Sequence, residues 1–592
     1  MIFDTILTGF MCATVFFTLL LRFAYQPINT RFSYKLENAF FNSHKKWDGI
    51  QKHAAFFTII ALAVLVRSWN FGSIPSGFNQ DGAMAAVDAK ALADYGTDRF
   101  GMTYPVHFTA WGYGQMSVLL SYLMVPFIKI AGLNEITARL PVLIISLCGL
   151  LALYGFIKDT FGRTTALIVL FLAAINPWHI MQSRWALDCN LFPHFFIIGC
   201  YFLNRGHIKK YNLYISMIAF SLCMYSYGIA FLTVPLFLLA IGIYTLVTKT
   251  FRFKDILISI LIYSFLSCPI WLVMIINFLK LPTIHFFSIT MPFFPDSVRS
   301  GDILFFSTDF WAQLKTNYNS LLNTVILQNP DAPWNALDKY GTQYLFSLPF
   351  VLLGTGYLLA KIVSPYPQKE KSNENISLNL GSVIVIGGLV IGLWTGIVIA
   401  SVNINRINII YYFMVILAGL GLTQSFKWFK PAFISSVAIY TISFFLFCNY
   451  YFGTWAKEIG AYFFEGMGQA LQKASTIDTP KYYITVNSQY NGSKNVSEIL
   501  TLFHHKIDAR YFQGKDNSEE NKINLQHTTG NHNIPYIQRY IYVNPSAMFI
   551  NPEENAVYVV NSQEKKFFNG NYFSFVDFNG FTLVTPIKHN MN

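Results

Sequence analysis

Met116 to Gly132, MSVLLSYLMVPFIKIAG, is nearly unbroken apolar sequence, and whether it crosses a bilayer decides the side on which every later loop lies. A crossing helix needs about 20 apolar residues for a hydrocarbon core of ~30 Å. This run falls just short, and Pro126 and Lys129 interrupt it. The rest of the chain sets its context. Of 592 residues 54% are hydrophobic and only 12% charged, so stretches of spanning length must recur, and the chain reads as a polytopic α-helical membrane protein. The net charge of +12 would suit a nucleic-acid binder, but Lys and Arg lie in loops between apolar runs, too short for a groove-binding element. No nucleic-acid partner is expected.

The basic residues cluster in alternate loops: Arg31, Lys35, Lys45, Lys46 and Lys52; Lys158 and Arg163; Arg205, Lys209 and Lys210; Lys249, Arg252 and Lys254; Lys361, Lys369 and Lys371; Lys427 and Lys430. On the positive-inside rule these are cytoplasmic. The apolar spans between them run approximately over 3–24, 54–70, 139–157, 164–181, 191–204, 212–227, 229–247, 256–275, 341–360, 380–400, 407–424 and 432–452, about twelve helices by length, with both termini outside. A crossing at 116–132 would make the number of spans between the loops at 31–52 and 158–163 odd and turn every later basic loop outward. The run is therefore read as a juxtamembrane helix in the outer leaflet, within a first external loop over 71–138. An ordinary span with a broken charge bias is the alternative.

Three regions follow. Residues 1–53 hold an extra N-terminal helix and a cytoplasmic loop, 54–452 form the transmembrane body with a second long external loop at 277–340, and 453–592 form a small extracytoplasmic α/β domain. In that last region strand-like runs (Lys481 to Val486, Tyr540 to Val543, Ala556 to Val560, Phe573 to Val576) alternate with helix-like pieces (Ala461 to Ala474, Val496 to His505), and Gly514 to Asn524 reads as a mobile loop. Met1-Ile2-Phe3-Asp4 has neither a basic n-region nor a cleavage site after it, so the first apolar run reads as a retained helix in the cell membrane. The seven cysteines show no metal-type spacing and no disulfide framework.

Polar groups at membrane depth then gather on one side. Asp81 and Asp88 follow the second span, His107 and Trp111 precede the flat helix, and Arg139 opens the next helix. Ser183, Arg184 and Asp188 follow the fourth span, Arg299 lies in the second long loop, and Asn403, Asn405 and Arg406 precede the eleventh span. Carboxylates and guanidiniums meeting at one interface suit a reaction between an anionic lipid headgroup and a neutral hydroxyl. Each also has a plainer reading. Asp81 could cap a helix, Arg67 could be a snorkelling anchor, His179 could sit in an interfacial belt, and Asp331, Trp334 and Asn335 could simply form a turn.

Several pieces carry a specific resemblance: Asn79-Gln80-Asp81; Gly96-Thr97-Asp98-Arg99-Phe100-Gly101 with Tyr104-Pro105 and Trp111-Gly112-Tyr113-Gly114; Arg139-Leu140-Pro141; Phe161-Gly162; and Asn176-Pro177 leading to Ser183-Arg184-Trp185-Ala186-Leu187-Asp188. In order and spacing they resemble the C-type superfamily of integral-membrane glycosyltransferases, in the lineage of protein O-mannosyltransferases and lipid A aminoarabinose transferases. Asn405-Arg406-Ile407-Asn408 resembles a later arginine of such enzymes. The resemblance implies inverting transfer of a monosaccharide from a polyprenyl-phosphate donor to a hydroxyl of an extracytoplasmic glycan, lipid or protein. Asp81 would be the base and Asp188 the second acid. Arg184 and Arg406, with Arg139 and His107 behind them, would hold the departing phosphate, and Asn79, Trp111, Tyr113 and Asn405 would line the substrate cavity. Many relatives place a second acid after the aspartate. Here Gly82 follows, so no metal or other cofactor is indicated. A lipid-linked-sugar flippase or secondary transporter is the competing reading, although such proteins place charged sites near the midplane, often between repeated halves. An inactive scaffold is the third.

Overall fold

The chain is described by a computed structural model over residues 45–295, 303–363, 373–514 and 534–587, apart from Tyr113, Gln489 and residues 548–549, with several residues between 8 and 16. Most of the expected helix at 3–24, Arg299, the basic residues Arg31, Lys35, Lys369 and Lys371, and the polar stretch beyond Gly514 lie outside the described residues.

Helices begin and end where the sequence supplies caps. α1 (Lys45–Ser68) leads through a turn to α2 (Gln80–Tyr95), whose N-cap is Asn79, its side chain accepting from the Gly82 amide. α3 (Leu119–Ala131) and α4 (Glu135–Phe161) are separated by Asn134, which caps α4 in a reciprocal box with Thr137. Then come α5 (Arg163–Ala174), the short α6 (Pro177–Gln182), α7 (Phe192–Arg205), α8 (Lys210–Ser226), α9 (Ala230–Val247) and α10 (Phe253–Leu279). α11 (Phe310–Leu321), α12 (Leu348–Val363), α13 (Asn373–Val398), α14 (Ile410–Trp428) and α15 (Lys430–Tyr450) complete the helical body.

Eleven of the twelve expected spans therefore coincide with helices, but among the described residues only seven helices are long and apolar enough to cross a membrane. They are α4, α9, α10, α12 with its lead-in, α13, α14 and the continuous run Lys430–Ala461. α7 and α8, at 14 and 17 residues, are too short to count, and at one expected span a break that hydropathy does not register divides the helix. The span expected at 164–181 is two helices, because Asn176 accepts from the His179 amide at 2.9 Å and Pro177 restarts the chain as a first helical residue. α3, at 13 residues, reaches only about 20 Å and cannot cross a ~30 Å core alone, as its expected juxtamembrane placement requires.

α14 is the central post: every residue from Ile410 to Ser425 is buried. It approaches α12 closely through glycines, since a Cβ on Gly354 would lie 1.9 Å from the Leu417 carbonyl oxygen and one on Gly421 2.2 Å from that of Phe350. Small residues at such crossings are how helices pack where lipid offers no hydrophobic incentive. α9 and α10 instead turn Ile243, Leu261 and Phe265 outward, an apolar surface suited to lipid.

The long helix α4 gives the body its two ends. Near its C-terminus Arg205 pairs with Asp159 at 3.4 Å, Asn204 donates to Thr160 and to Ser377, and Tyr214 donates to Asp255. The basic loops around 158–163, 205–210 and 252–255 thus share one end with the start of α13. The other end of α4, about 40 Å away for 27 residues, carries Arg139 and the turn before α2.

The C-terminal region is a mixed five-stranded sheet. Strands β1 (Phe108–Thr109), β2 (Gln115–Met116), β3 (Ile284–Phe286) and β4 (Ile289–Met291) form two small hairpins in the helical body. The sheet itself holds β5 (Lys481–Thr485), β6 (Tyr540–Val543), β7 (Ala556–Asn561), β8 (Phe573–Asp577) and β9 (Phe581–Pro586) in the order β6-β5-β7-β9-β8, with β5 parallel to β6 and β7 and the β7–β9–β8 pairs antiparallel. Four strands match the sequence expectation; β9, directly after the Asn579-Gly580 turn, is additional. Helices α16 (Glu465–Ala474) and α17 (Lys494–His504) pack on the sheet, and Tyr558, Phe568 and Phe573 form a separate cluster.

This domain docks directly on α2. Phe503 stacks on Phe78 with centroids 4.5 Å apart, Tyr95 donates to Asp508 at 2.7 Å, and Arg510 lies 4.1 Å over the Tyr95 ring. The loop after α2 is pinned in turn by a buried ion pair: Arg99 Nη1 meets Asp88 Oδ2 at 2.5 Å, its amide donates to Oδ1, and Nη2 donates to the Thr109 carbonyl. Removing one partner of such a pair strands a buried charge. Arg99→Met is expected to lower stability by about 3–5 kcal/mol, whereas the double variant Asp88→Leu/Arg99→Met loses much less. Thermal unfolding of the detergent-purified chain checks both.

Candidate active site

Two buried arginines build the turn that presents Asp81. Arg184 Nη1 donates to the carbonyls of Val66 and Arg67, and its Nη2 to those of Trp69, Asn70 and Ile74, at 2.6–3.4 Å. Arg139 takes the next stretch, donating to Gly72 at 2.6 Å and Gly77 at 2.5 Å, with its guanidinium 5.4 Å over the Phe78 ring. A turn between two helices leaves carbonyls without helical partners, and these guanidiniums satisfy them inside the protein. The expectation of phosphate-binding cations therefore gives way at both positions to clamps on residues 66–77, since their terminal nitrogens already hold carbonyl partners.

Arg67 differs from expectation for a related reason. It is fully buried rather than snorkelling. The break at Asn176-Pro177 frees the last carbonyls of α5, and Arg67 donates to Ala173 and Ala174 as well as to His179 Nδ1. His179 Nε2 lies 2.8 Å from the Tyr412 hydroxyl, which also reaches His194 Nδ1 at 2.8 Å. Because Arg67 can only donate, His179 carries its proton on Nε2 and donates to Tyr412, which donates to His194.

Asp81 itself is the second residue of α2, in its first turn, where the helix dipole favours a carboxylate. It does not cap; Asn79 does, which gives the expected cavity-lining residue a structural task. The Asp81 Oδ1 accepts the Trp111 Nε1 proton at 2.6 Å. The first turn of α2 also abuts the segment holding Asp188, a Cβ on Gly82 meeting the Ala186 carbonyl oxygen at 2.8 Å.

The meeting point of the acids is Cys189. Its thiol is pushed well above the usual range, first by complete burial and then by the fields of Asp188, Asp81 and Asp331. Asp188, Asp81 and Asp331, from three distant segments, thus lie within electrostatic reach of this thiol. Asp188 accepts from the Cys189 amide at 2.7 Å. Both Asp331 oxygens accept from Asn335 Nδ2 at 3.1 Å, and Oδ2 also accepts from the Ile404 amide at 3.0 Å, which draws in the turn bearing Asn403, Asn405 and Arg406. Asn408 closes the ring by donating to the Cys189 carbonyl at 2.7 Å. Among the described residues no three His, Cys, Asp or Glu side chains are arranged to hold a metal ion.

Of the expected cations, Arg406 alone sits on this ring, its Nη1 directed to the Ala400 carbonyl. His107 lies apart, boxed by Phe231 and Phe294 with ring centroids 6.2 and 6.1 Å away. Burial pushes its pKa down to about 4, so at neutral pH it carries no charge for a phosphate. Among cavity-lining candidates Trp111 joins Asp81, Asn405 presents a buried side-chain oxygen without a hydrogen-bond partner, and Tyr113 lies outside the described residues. Cys189 and Asn408 were not among the residues the sequence singled out. Only Asn408 left a signal, as the last residue of the quoted Asn405-Arg406-Ile407-Asn408 piece.

Residues 116–273 match the family model described as dolichyl-phosphate-mannose-protein mannosyltransferase. That segment, about a quarter of the chain, contains Arg139, Arg184 and Asp188. No curated protein sequence matches the chain. Among solved structures, ArnT from Cupriavidus metallidurans in the apo state is similar over 92% of this chain and 99% of its own, at 13% identity and a TM-score of 0.43. The same protein bound to undecaprenyl phosphate is similar over 90% and 98%, at 12% identity and a TM-score of 0.44. The Archaeoglobus fulgidus oligosaccharyltransferase in complex with Zn and sulfate is similar over 76% of this chain and 61% of its own, at 12% identity and a TM-score of 0.44. These likenesses are distant.

Burial among carboxylates has a direct consequence for Cys189, because the thiolate is the reactive form. Maleimide is expected to leave Cys189 unmodified in the native protein at neutral pH and to label it after unfolding, as read by peptide mass mapping. Labelling of Cys189 at the rate of a free thiol in the folded chain would contradict the arrangement.

Proposed function

We propose that the chain transfers a monosaccharide from a polyprenyl-phosphate donor to a hydroxyl of an extracytoplasmic acceptor, with inversion, and that Asp81 is the base. The observation that carries this is Asp81, held by the Trp111 indole on a helix turn packed against the segment of Asp188, at the end of the body opposite the basic loops. Positive loops stay in the cytoplasm, which puts the acidic ring on the extracytoplasmic side. The family match at 116–273, whose described members use a lipid-phosphate mannose donor, supports the choice of donor class.

The chemistry suits the groups. A phosphate leaving group needs little protonation, so the protein must remove the acceptor proton and steady the departing anion. Asp81 Oδ1 accepts from the Trp111 indole, which orients the carboxylate on the first turn of α2. Asp188, on the neighbouring segment, orients the acceptor from the opposite side. Arg406, on the turn that Asp331 anchors, is the cation placed to meet the phosphate. The attacking oxygen forms its bond to the anomeric carbon as the bond to the phosphate oxygen breaks, and the acceptor proton passes to Asp81.

Asp81→Asn keeps the shape and removes the base, so transfer is expected to fall by about 10²–10⁴ while the protein folds normally. Trp111→Phe, which deletes only the indole donor, should cost about tenfold in kcat. Envelope glycans of cells carrying each variant, followed by mass spectrometry, supply the measurement. Full activity of Asp81→Asn would remove the assignment.

A further inference from the structure

The acidic ring is roofed on one side by the C-terminal domain, and that contact is aromatic. Trp334, three residues after Asp331, meets Tyr490 with ring centroids 5.4 Å apart at 72° and Tyr462 at 6.1 Å and 62°. Tyr462 and Tyr490 meet each other at 5.4 Å and 64°. The three rings thus come from three segments: the loop that holds Asp331, the link following α15, and the loop between β5 and α17. Tyr462 is 36% exposed and Tyr490 38%, so the cluster opens to solvent rather than filling a core. Just past this loop, in the first turn of α17, Asn495 lies against Gly112, the neighbour of the Asp81 partner Trp111. The start of α17 and the loop before it thus contact both the Trp111 segment and Trp334.

We infer that this cluster is an acceptor platform and that the acceptor is a glycan: a pyranose ring of the acceptor packs against Tyr490, Tyr462 and Trp334 while its neighbouring hydroxyl reaches Asp81. The inference rests on the proposed glycosyl transfer and names its acceptor class. A sugar ring has an apolar C–H face and a polar rim, and here inclined, partly exposed aromatic rings are joined in the chain, through Trp334, to the hydrogen-bonded pair of Asn335 and Asp331. A peptide acceptor calls for different chemistry, an unpaired strand edge or side-chain pockets. A lipid surface calls for basic groups or an extended apolar face. At the mouth the aromatic rings lie among acids and amides instead.

The test uses the purified full chain in detergent with neutral tetrasaccharides of glucose, mannose and N-acetylglucosamine as probes, together with a serine-rich octapeptide. Saturation-transfer NMR and tryptophan fluorescence read binding. At least one tetrasaccharide is expected to bind, with Tyr490→Ala and Tyr462→Ala each weakening it about tenfold and Tyr490→Trp preserving it. Tyr490 is a surface side chain, and retention by Tyr490→Trp separates ring loss from misfolding. Binding that survives Tyr490→Ala, absence of binding by every tetrasaccharide, or binding of the octapeptide in their place overturns the platform. Sugar binding lost with Tyr490→Ala, in a protein whose Asp81→Asn form still transfers sugar, would instead sink the base assignment and leave the platform standing.

Discussion

The turn between α1 and α2 is the constraint on which the site depends, and guanidinium-to-carbonyl hydrogen bonding holds it. Between two helices some ten residues of backbone must cross with few helical partners, at a depth where water is scarce. Each unsatisfied carbonyl there would cost on the order of 1–3 kcal/mol. Arg184 and Arg139, from two other parts of the chain, gather seven of these carbonyls between them. The turn is therefore fixed from inside, and so is the first turn of α2 with Asp81. An arginine suits this task because its planar fork offers several donors at once and keeps its charge when buried.

The same principle recurs one layer deeper. Where α5 breaks at Asn176-Pro177, Arg67 supplies the donors that the missing helical turn would have used, and His179, Tyr412 and His194 extend that network into the central helix α14. The helix breaks that shorten several spans are thus stitched by charged side chains from neighbouring helices. The C-terminal domain completes the enclosure by packing on α2 through Phe503 and by setting Tyr490 over the mouth. Because it touches both the segment bearing Asp81 and the loop bearing Asp331, it is part of the site's wall.

Much of this was readable beforehand. Eleven apolar runs coincided with helices, one of them with two, and the runs of β-branched and aromatic residues found four of five strands in the tail. The short form of α5 was not readable by hydropathy, which counts apolar residues and is blind to a cap; Asn176-Pro177 carried the signal. The roles of the arginines were not readable either. A guanidinium beside a lipid-phosphate enzyme's reaction centre and one that binds a turn have the same letter in the sequence, and only the positions of the carbonyls distinguish them. His107 shows the same limit, since its loop context suggested a polar contact and packing against two phenylalanines gave it an apolar box.

What the residues by themselves determined is the class of molecule, a helical membrane body with a small α/β domain, because hydrophobic length is a property of the chain in one dimension. What the tertiary structure decided is which groups face one another. Asp81 and Asp331 are separated by 250 positions in sequence, yet both lie within electrostatic reach of the buried Cys189, while Arg184 and Arg139 turn into backbone carbonyls. The reason is physical: a buried donor goes wherever an unsatisfied acceptor waits, and only the packing of distant helices determines where that is.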